Sequence, residues 1–200
     1  MNGLPDQEEG VWRKTLEAAA SLRPEHLAVY GLAIEENTAF GREWESGSLI
    51  LPEEEARADM LRWTEEYLES QGYNHYEISN YALAGRECRH NMVYWHNLPY
   101  LGFGAGAASY WDGVRRTNSS RVEGYVFDVQ AGRMPVVESE KPDLTQQMAE
   151  SMFLGLRILA GVERNSFLER FGCELDTVYG NQIRTLVKKG LLLDKGSALK

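Results

Sequence analysis

Two hundred residues are enough for one large domain, or for a large domain with a small appendage. An apolar share of 43% beside Lys+Arg 21 and Asp+Glu 30 is the balance of an ordinary soluble globular protein, and a net charge of -9 argues against nucleic acid or an anionic membrane as partner. No apolar run approaches the roughly 20 residues of a membrane helix, no charged-then-apolar leader opens the chain, and two isolated thiols, Cys88 and Cys173, suit a reducing cytoplasm better than a disulfide framework.

Residues 7–22, QEEGVWRKTLEAAASL, set Val11, Leu16, Ala19, Ala20 and Leu22 close to helical spacing, and Pro24 closes the segment. HLAVYGLAI, His26 to Ile34, is a continuous apolar run containing Val, Tyr and Ile, the pattern of a strand buried on both faces of a parallel sheet. After a polar loop containing GREWESG, Pro52 starts a helix with three glutamates in its first turn. That helix runs to about Ser70, turns Met60, Trp63, Tyr67 and Leu68 inward, and ends at Gly72. HYEISNYA is the next strand candidate. Helix, strand, helix, strand in this order indicates right-handed βαβ crossovers and an α/β layer architecture.

From Arg86 to Asn118 aromatics and glycines dominate, which reads as short strands and turns where backbone approaches closely. From Ser119 the pattern is mainly helical, with Thr145 as N-cap of a long helix carrying Met148, Met152, Leu156 and Leu159 on one face. Two shorter helices stopped by glycine follow, and three helices with a hairpin resemble a winged helix. The expected division is therefore residues 1–118 and 119–200. Both ends read as cut: MNGLP opens on a turn, and KKGLLLDKGSALK forms one strand and a turn without the return. A segment of a longer chain is expected.

Several motifs are open to two readings. GLPDQ, Gly3 to Gln7, is a turn like any other, or a backbone turn and amide set at the carboxyl end of a parallel strand where α/β folds bind ligands. Glu77 in YEISNYA is a solvated strand residue or a ligand's hydrogen-bond acceptor, on one face with Ser79. GFGAGAAS, Gly102 to Ser109, lacks the lysine and hydroxyl of a phosphate loop, so close backbone packing is the better account. Arg157 in GLR compensates a helix dipole or grips a carboxylate. In RHNMVYW, His90 is a turn-capping histidine beside core Val93 and Trp95, or a metal or haem-iron ligand. In the second case Asn91 and Tyr94 support it, and Trp95, Tyr100 and Phe103 wall a flat macrocycle. His75 and His96 receive no role.

Taken in order, GLPDQ, HLAVYGLAIEENTAF, YEISNYA, RHNMVYW, YLGFGAGAAS and MFLGLRILAGVERNSFLERFG resemble the second half of the oxygen-independent coproporphyrinogen III oxidase-like radical SAM (S-adenosylmethionine) proteins, in the haem chaperone branch. The resemblance implies an α/β fold: the second part of a radical SAM partial (β/α) barrel, then a mainly helical, winged-helix-like domain. It implies a parent protein in porphyrin metabolism that holds a [4Fe-4S] cluster and SAM and binds haem or a porphyrinogen, with a haem-accepting protein as partner. It assigns haem to the HNxxYW segment, here His90 (as iron ligand), Asn91, Tyr94 and Trp95, and the SAM side to Gln7.

Three departures stand out. The family's CxxxCxxC cluster motif does not occur here, and Cys88 and Cys173 cannot replace three closely spaced thiolates. Ala108 stands where many relatives have histidine, and Asp6 where GLPGQ is common. The sequence leaves open a non-catalytic tetrapyrrole-binding module. A nucleic-acid reader built on Arg184, Lys188 and Lys189 is opposed by the acidic whole.

Overall fold

Trp12, Leu16 and Ala20 recur every fourth residue along α1 (Glu9–Ser21) and are all but sealed from solvent. Leu16 and Ala20 of the expected set face the core and Trp12 joins them, whereas Val11 and Leu22 are exposed. The computed structural model describes residues 1–200, which form two compact units, residues 1–88 and 89–200.

In the first unit α1 packs on α3 (Glu54–Ser70), whose Met60, Thr64 and Leu68 are buried at the same four-residue interval. Trp63 and Tyr67 stack at 4.8 Å and cover the edge of that cluster. The strands are β1 (His26–Ala28), β2 (Asn74–Glu77) and β3 (Asn80–Ala82), in the order β1-β3-β2. Both outer strands pair antiparallel with β3, so β1 and β2 run in the same direction. The continuous strand expected from His26 to Ile34 ends at Ala28. Beyond it the chain is held by single contacts: Val29 N–H donates to the Ser79 carbonyl at 2.7 Å, and Gly31 makes a parallel bridge to Asn2. HYEISNYA is a tight hairpin and not one strand, because Ile78 and Ser79 form the turn between β2 and β3. The polar loop before Pro52 holds a short helix, α2 (Ala39–Glu45), capped by the Thr38 hydroxyl, which accepts from Gly41 N–H at 3.0 Å.

The second unit opens with α4 (Arg89–Trp95), a helix where strands and turns were expected. The hairpin β4 (Ala108–Trp111) and β5 (Val114–Asn118) follows, then α5 (Val122–Gln130) and β6 (Val136–Glu140), which returns to pair with β5. That pairing moves the division of the chain from residue 118 to Cys88/Arg89: β5 and β6 lie on either side of 118 and share one ladder. Close backbone packing is the role of Gly102, which lies so near the Ala108 carbonyl that no Cβ fits.

The remaining helices are α6 (Leu144–Gly155), α7 (Arg164–Phe171) and α8 (Leu175–Lys188), with the short strands β7 (Val162–Glu163) and β8 (Ala198–Leu199) paired antiparallel. Met148, Phe167, Leu175, Ile183, Leu192 and Leu199 form their common core, giving the winged-helix-like arrangement. Two details correct the sequence reading. The N-cap of α6 is Asp143, not Thr145: its carboxylate accepts from Gln146 N–H, and the Gln146 side chain accepts from Asp143 N–H, a reciprocal capping box. The return of the last hairpin lies within the chain, since Lys200 N–H donates to the Leu193 carbonyl at 3.0 Å. No helix is long and apolar enough to cross a membrane.

Candidate functional site

An α-helix turns 100° per residue, so positions 1, 2, 5 and 6 of a segment fall within one arc of about 140°. His90, Asn91, Tyr94 and Trp95 hold those positions on α4, which makes HNxxYW one face of a helix. His90 is exposed and the other three are half-buried. The Tyr94 hydroxyl lies 3.0 Å from His90 Nε2, and the two rings meet edge to face with centroids 4.8 Å apart. Tyr94 in turn meets Tyr100 edge to face at 4.6 Å. Burial pushes the Tyr100 phenol above its usual range, partly offset by Arg115.

The helix is fixed at its carboxyl end. Arg170 donates to the carbonyls of His96 at 2.9 Å and Asn97 at 2.7 Å, placing a cation on the negative end of α4. Below Tyr100, Arg115 of β5 makes a two-pronged bond to Glu150 of α6 at 3.1 and 3.0 Å, which ties the hairpin to the helix beneath the motif. On the other edge of α4, Met92, Trp95 and His96 border a cavity of about 310 Å³ whose far wall includes Ile158, Phe167 and Phe171. Phe103 is strongly exposed. The structure therefore joins His90, Tyr94 and Tyr100 on one edge of the motif and leaves Trp95 on the other.

The first unit holds the GLPDQ turn, and there the Gln7 amide closes its own loop. Its Oε1 accepts from Leu4 N–H at 3.2 Å and its Nε2 donates to the Met1 carbonyl at 3.4 Å. Asp6 takes a left-handed φ of 55°, the conformation a glycine adopts without cost. Glu77, read as a solvated strand residue, is fully buried: one carboxylate oxygen accepts from Asn80, and the other has no partner. The turn at Ile78 and Ser79 explains the change, because it folds Glu77 inward against Asn80 of the return strand. His26 lies within hydrogen-bonding distance of Tyr76, 2.9 Å, and burial lowers its imidazole below the ordinary 6.5 despite the opposing pull of Glu77.

The residues present do not form a cluster cradle. Both cysteines are free and lie in different units, and no group of three or more His, Cys, Asp or Glu side chains is arranged to hold a metal. An exposed imidazole flanked by an amide, a phenol and an indole is, by contrast, a donor set and wall that suit a flat iron macrocycle.

The HemN C-terminal domain matches residues 143–200. Over 199 residues the chain is 38% identical to the haem chaperone HemW of Bacillus subtilis, covering all of this chain and 52% of that protein. It is 33% identical to the haem chaperone HemW of Escherichia coli, covering 97% of this chain and 50% of that one. The chain thus spans about half the length of the curated relatives it matches. Its fold matches the solved structure of coproporphyrinogen III oxidase (HemN) from Escherichia coli, described as a radical SAM enzyme, with a TM-score of 0.76 over 99% of this chain and 49% of that one, at 17% identity.

Proposed function

We propose that this chain, which matches the C-terminal half of the haem chaperone HemW and has the fold of the corresponding half of HemN, is the haem-binding part of a radical SAM protein of porphyrin metabolism. The observation that carries the reading is the single face of α4 that presents His90, Asn91, Tyr94 and Trp95 with an exposed imidazole at its edge. His90 is the iron ligand. Tyr94 would orient its ring through the contact to Nε2, leaving Nδ1 for the iron, as ligating histidines are oriented through their other ring nitrogen, while Asn91 and Trp95 would flank the macrocycle. The parent protein hands haem to an acceptor protein in the cytoplasm, a compartment that suits two unpaired thiols.

SAM and a [4Fe-4S] cluster belong to the complete parent. On this proposal the Gln7 turn borders the SAM side, and the chain holds no thiolate triad. That absence of ligands favours a second reading for the chain on its own, a tetrapyrrole-binding module without chemistry. Titrating the chain with haemin tests the proposal. A Soret band that saturates at one equivalent, with affinity at least about tenfold lower in His90→Ala, is expected; equal binding by both removes His90 as the ligand. Catalytic 5′-deoxyadenosine formation with dithionite after iron-sulfur reconstitution would overturn the module reading.

A further inference from the structure

Arg157 lies just beyond α6, and its guanidinium sits over the Trp95 ring with the charge 4.5 Å from the ring centroid. It has no carboxylate and no carbonyl partner, whereas Arg115 and Arg164 each hold carboxylates and Arg170 holds two carbonyls. In a chain of net charge -9 an unpaired, half-buried guanidinium needs a reason. Its Nε is shut away from solvent without a partner, yet its two terminal nitrogens are not shut in. The guanidinium itself lies over the indole, and its terminal nitrogens have no protein partner. That is the posture of an arginine set to take a planar anion with two parallel N–H bonds, and an aromatic face beneath it holds the plane of the fork.

We infer that Arg157, held on Trp95, is the carboxylate-recognising residue of the site, and that its ligand is an acidic side chain of the bound macrocycle. This rests on the proposed function and deepens it. The indole stands at the edge of the motif face opposite His90, so a flat ring that spans the face from His90 to Trp95 carries its acidic substituents toward the Arg157 guanidinium. The inference assigns to Arg157 a choice that an iron ligand cannot make, between a macrocycle with free carboxylates and one whose carboxylates are blocked.

The test compares haemin with haemin dimethyl ester on the 200-residue chain, followed by Soret absorption. The unaltered chain is expected to bind haemin about tenfold or more tightly than the ester. Arg157→Gln is expected to lose that preference, binding both at the affinity of the ester, and Arg157→Lys to keep only part of it because an ammonium lacks the fork. Circular dichroism and the ester affinity itself report whether each variant is folded. Equal binding of haemin and ester by the unaltered chain, or an undiminished preference in Arg157→Gln, overturns the assignment. No binding of either compound by the unaltered chain overturns it together with the proposed function. Loss of the preference in Arg157→Gln beside full retention of binding in His90→Ala leaves the carboxylate site standing and removes only the iron ligand.

Discussion

The indole N–H of Trp12 donates to the Thr64 hydroxyl at 2.9 Å, and that hydroxyl donates onward to the Met60 carbonyl at 2.7 Å, all of it inside the core. A hydroxyl with one acceptor and one donor role lets α1 and α3 pack through a tryptophan without burying an unsatisfied N–H. Thr64→Val keeps the volume and removes the acceptor. A loss of about 1–3 kcal/mol is expected from the stranded indole, read as a lowered urea midpoint with unchanged slope; a change within 0.5 kcal/mol, the range of a neutral surface substitution, would show that the bond contributes little.

Asp6 and its left-handed φ set a second expectation. Asp6→Gly relieves the conformation and should leave stability equal or slightly raised, while Asp6→Val should cost about 1–2 kcal/mol, since a β-branched side chain is poorly tolerated there. Thermal unfolding of the pair gives the order, and a valine variant as stable as the glycine variant would contradict it.

Burial holds the His26 imidazole below 6.5. The unfolded chain therefore binds a proton that the folded chain resists, so this group's stability contribution is complete above the unfolded value and falls as pH drops below it. Denaturation midpoints should decline from pH 7 toward pH 5, and His26→Gln, which can still reach Tyr76, should flatten part of that decline. An unchanged slope in the variant would exclude His26 as its source.

Arg164 gathers three partners at the root of the last hairpin: Asp176 at 2.7 Å, Asp194 at 2.9 Å and the Gly196 carbonyl at 2.8 Å. Its guanidinium holds both carboxyls below their ordinary range. Their contribution is present above the unfolded value of 3.8 and is lost as pH falls below it. Arg164→Gln should speed amide hydrogen exchange at Ala198 and Leu199 of β8 while α8 keeps its protection. Equal exchange in both proteins would mean that the hairpin is held by Leu199 in the core alone.

Much of the architecture was legible because it rests on periodicity: Met60 and Leu68 of α3 and Met148 and Met152 of α6 read directly as buried faces. What was lost had physical causes. The α4 helix hides in a stretch rich in rings and glycines, although positions 1, 2, 5 and 6 of HNxxYW already describe one helical face. Burial of Glu77 depends on a two-residue turn and on Asn80 beyond it, which a strand-like alternation conceals. The Arg157 fork over Trp95 joins residues far apart in sequence, and no local pattern announces such a pair.

The most direct test of haem binding through the motif helix is the axial ligand itself. Resonance Raman spectra of the haem-loaded ferrous chain, grown with natural and ¹⁵N-labelled histidine, should show an iron–imidazole stretch that shifts with the label and disappears in His90→Ala, although His26, His75 and His96 remain. A spectrum without an imidazole band, or one that survives the loss of His90, would contradict the account.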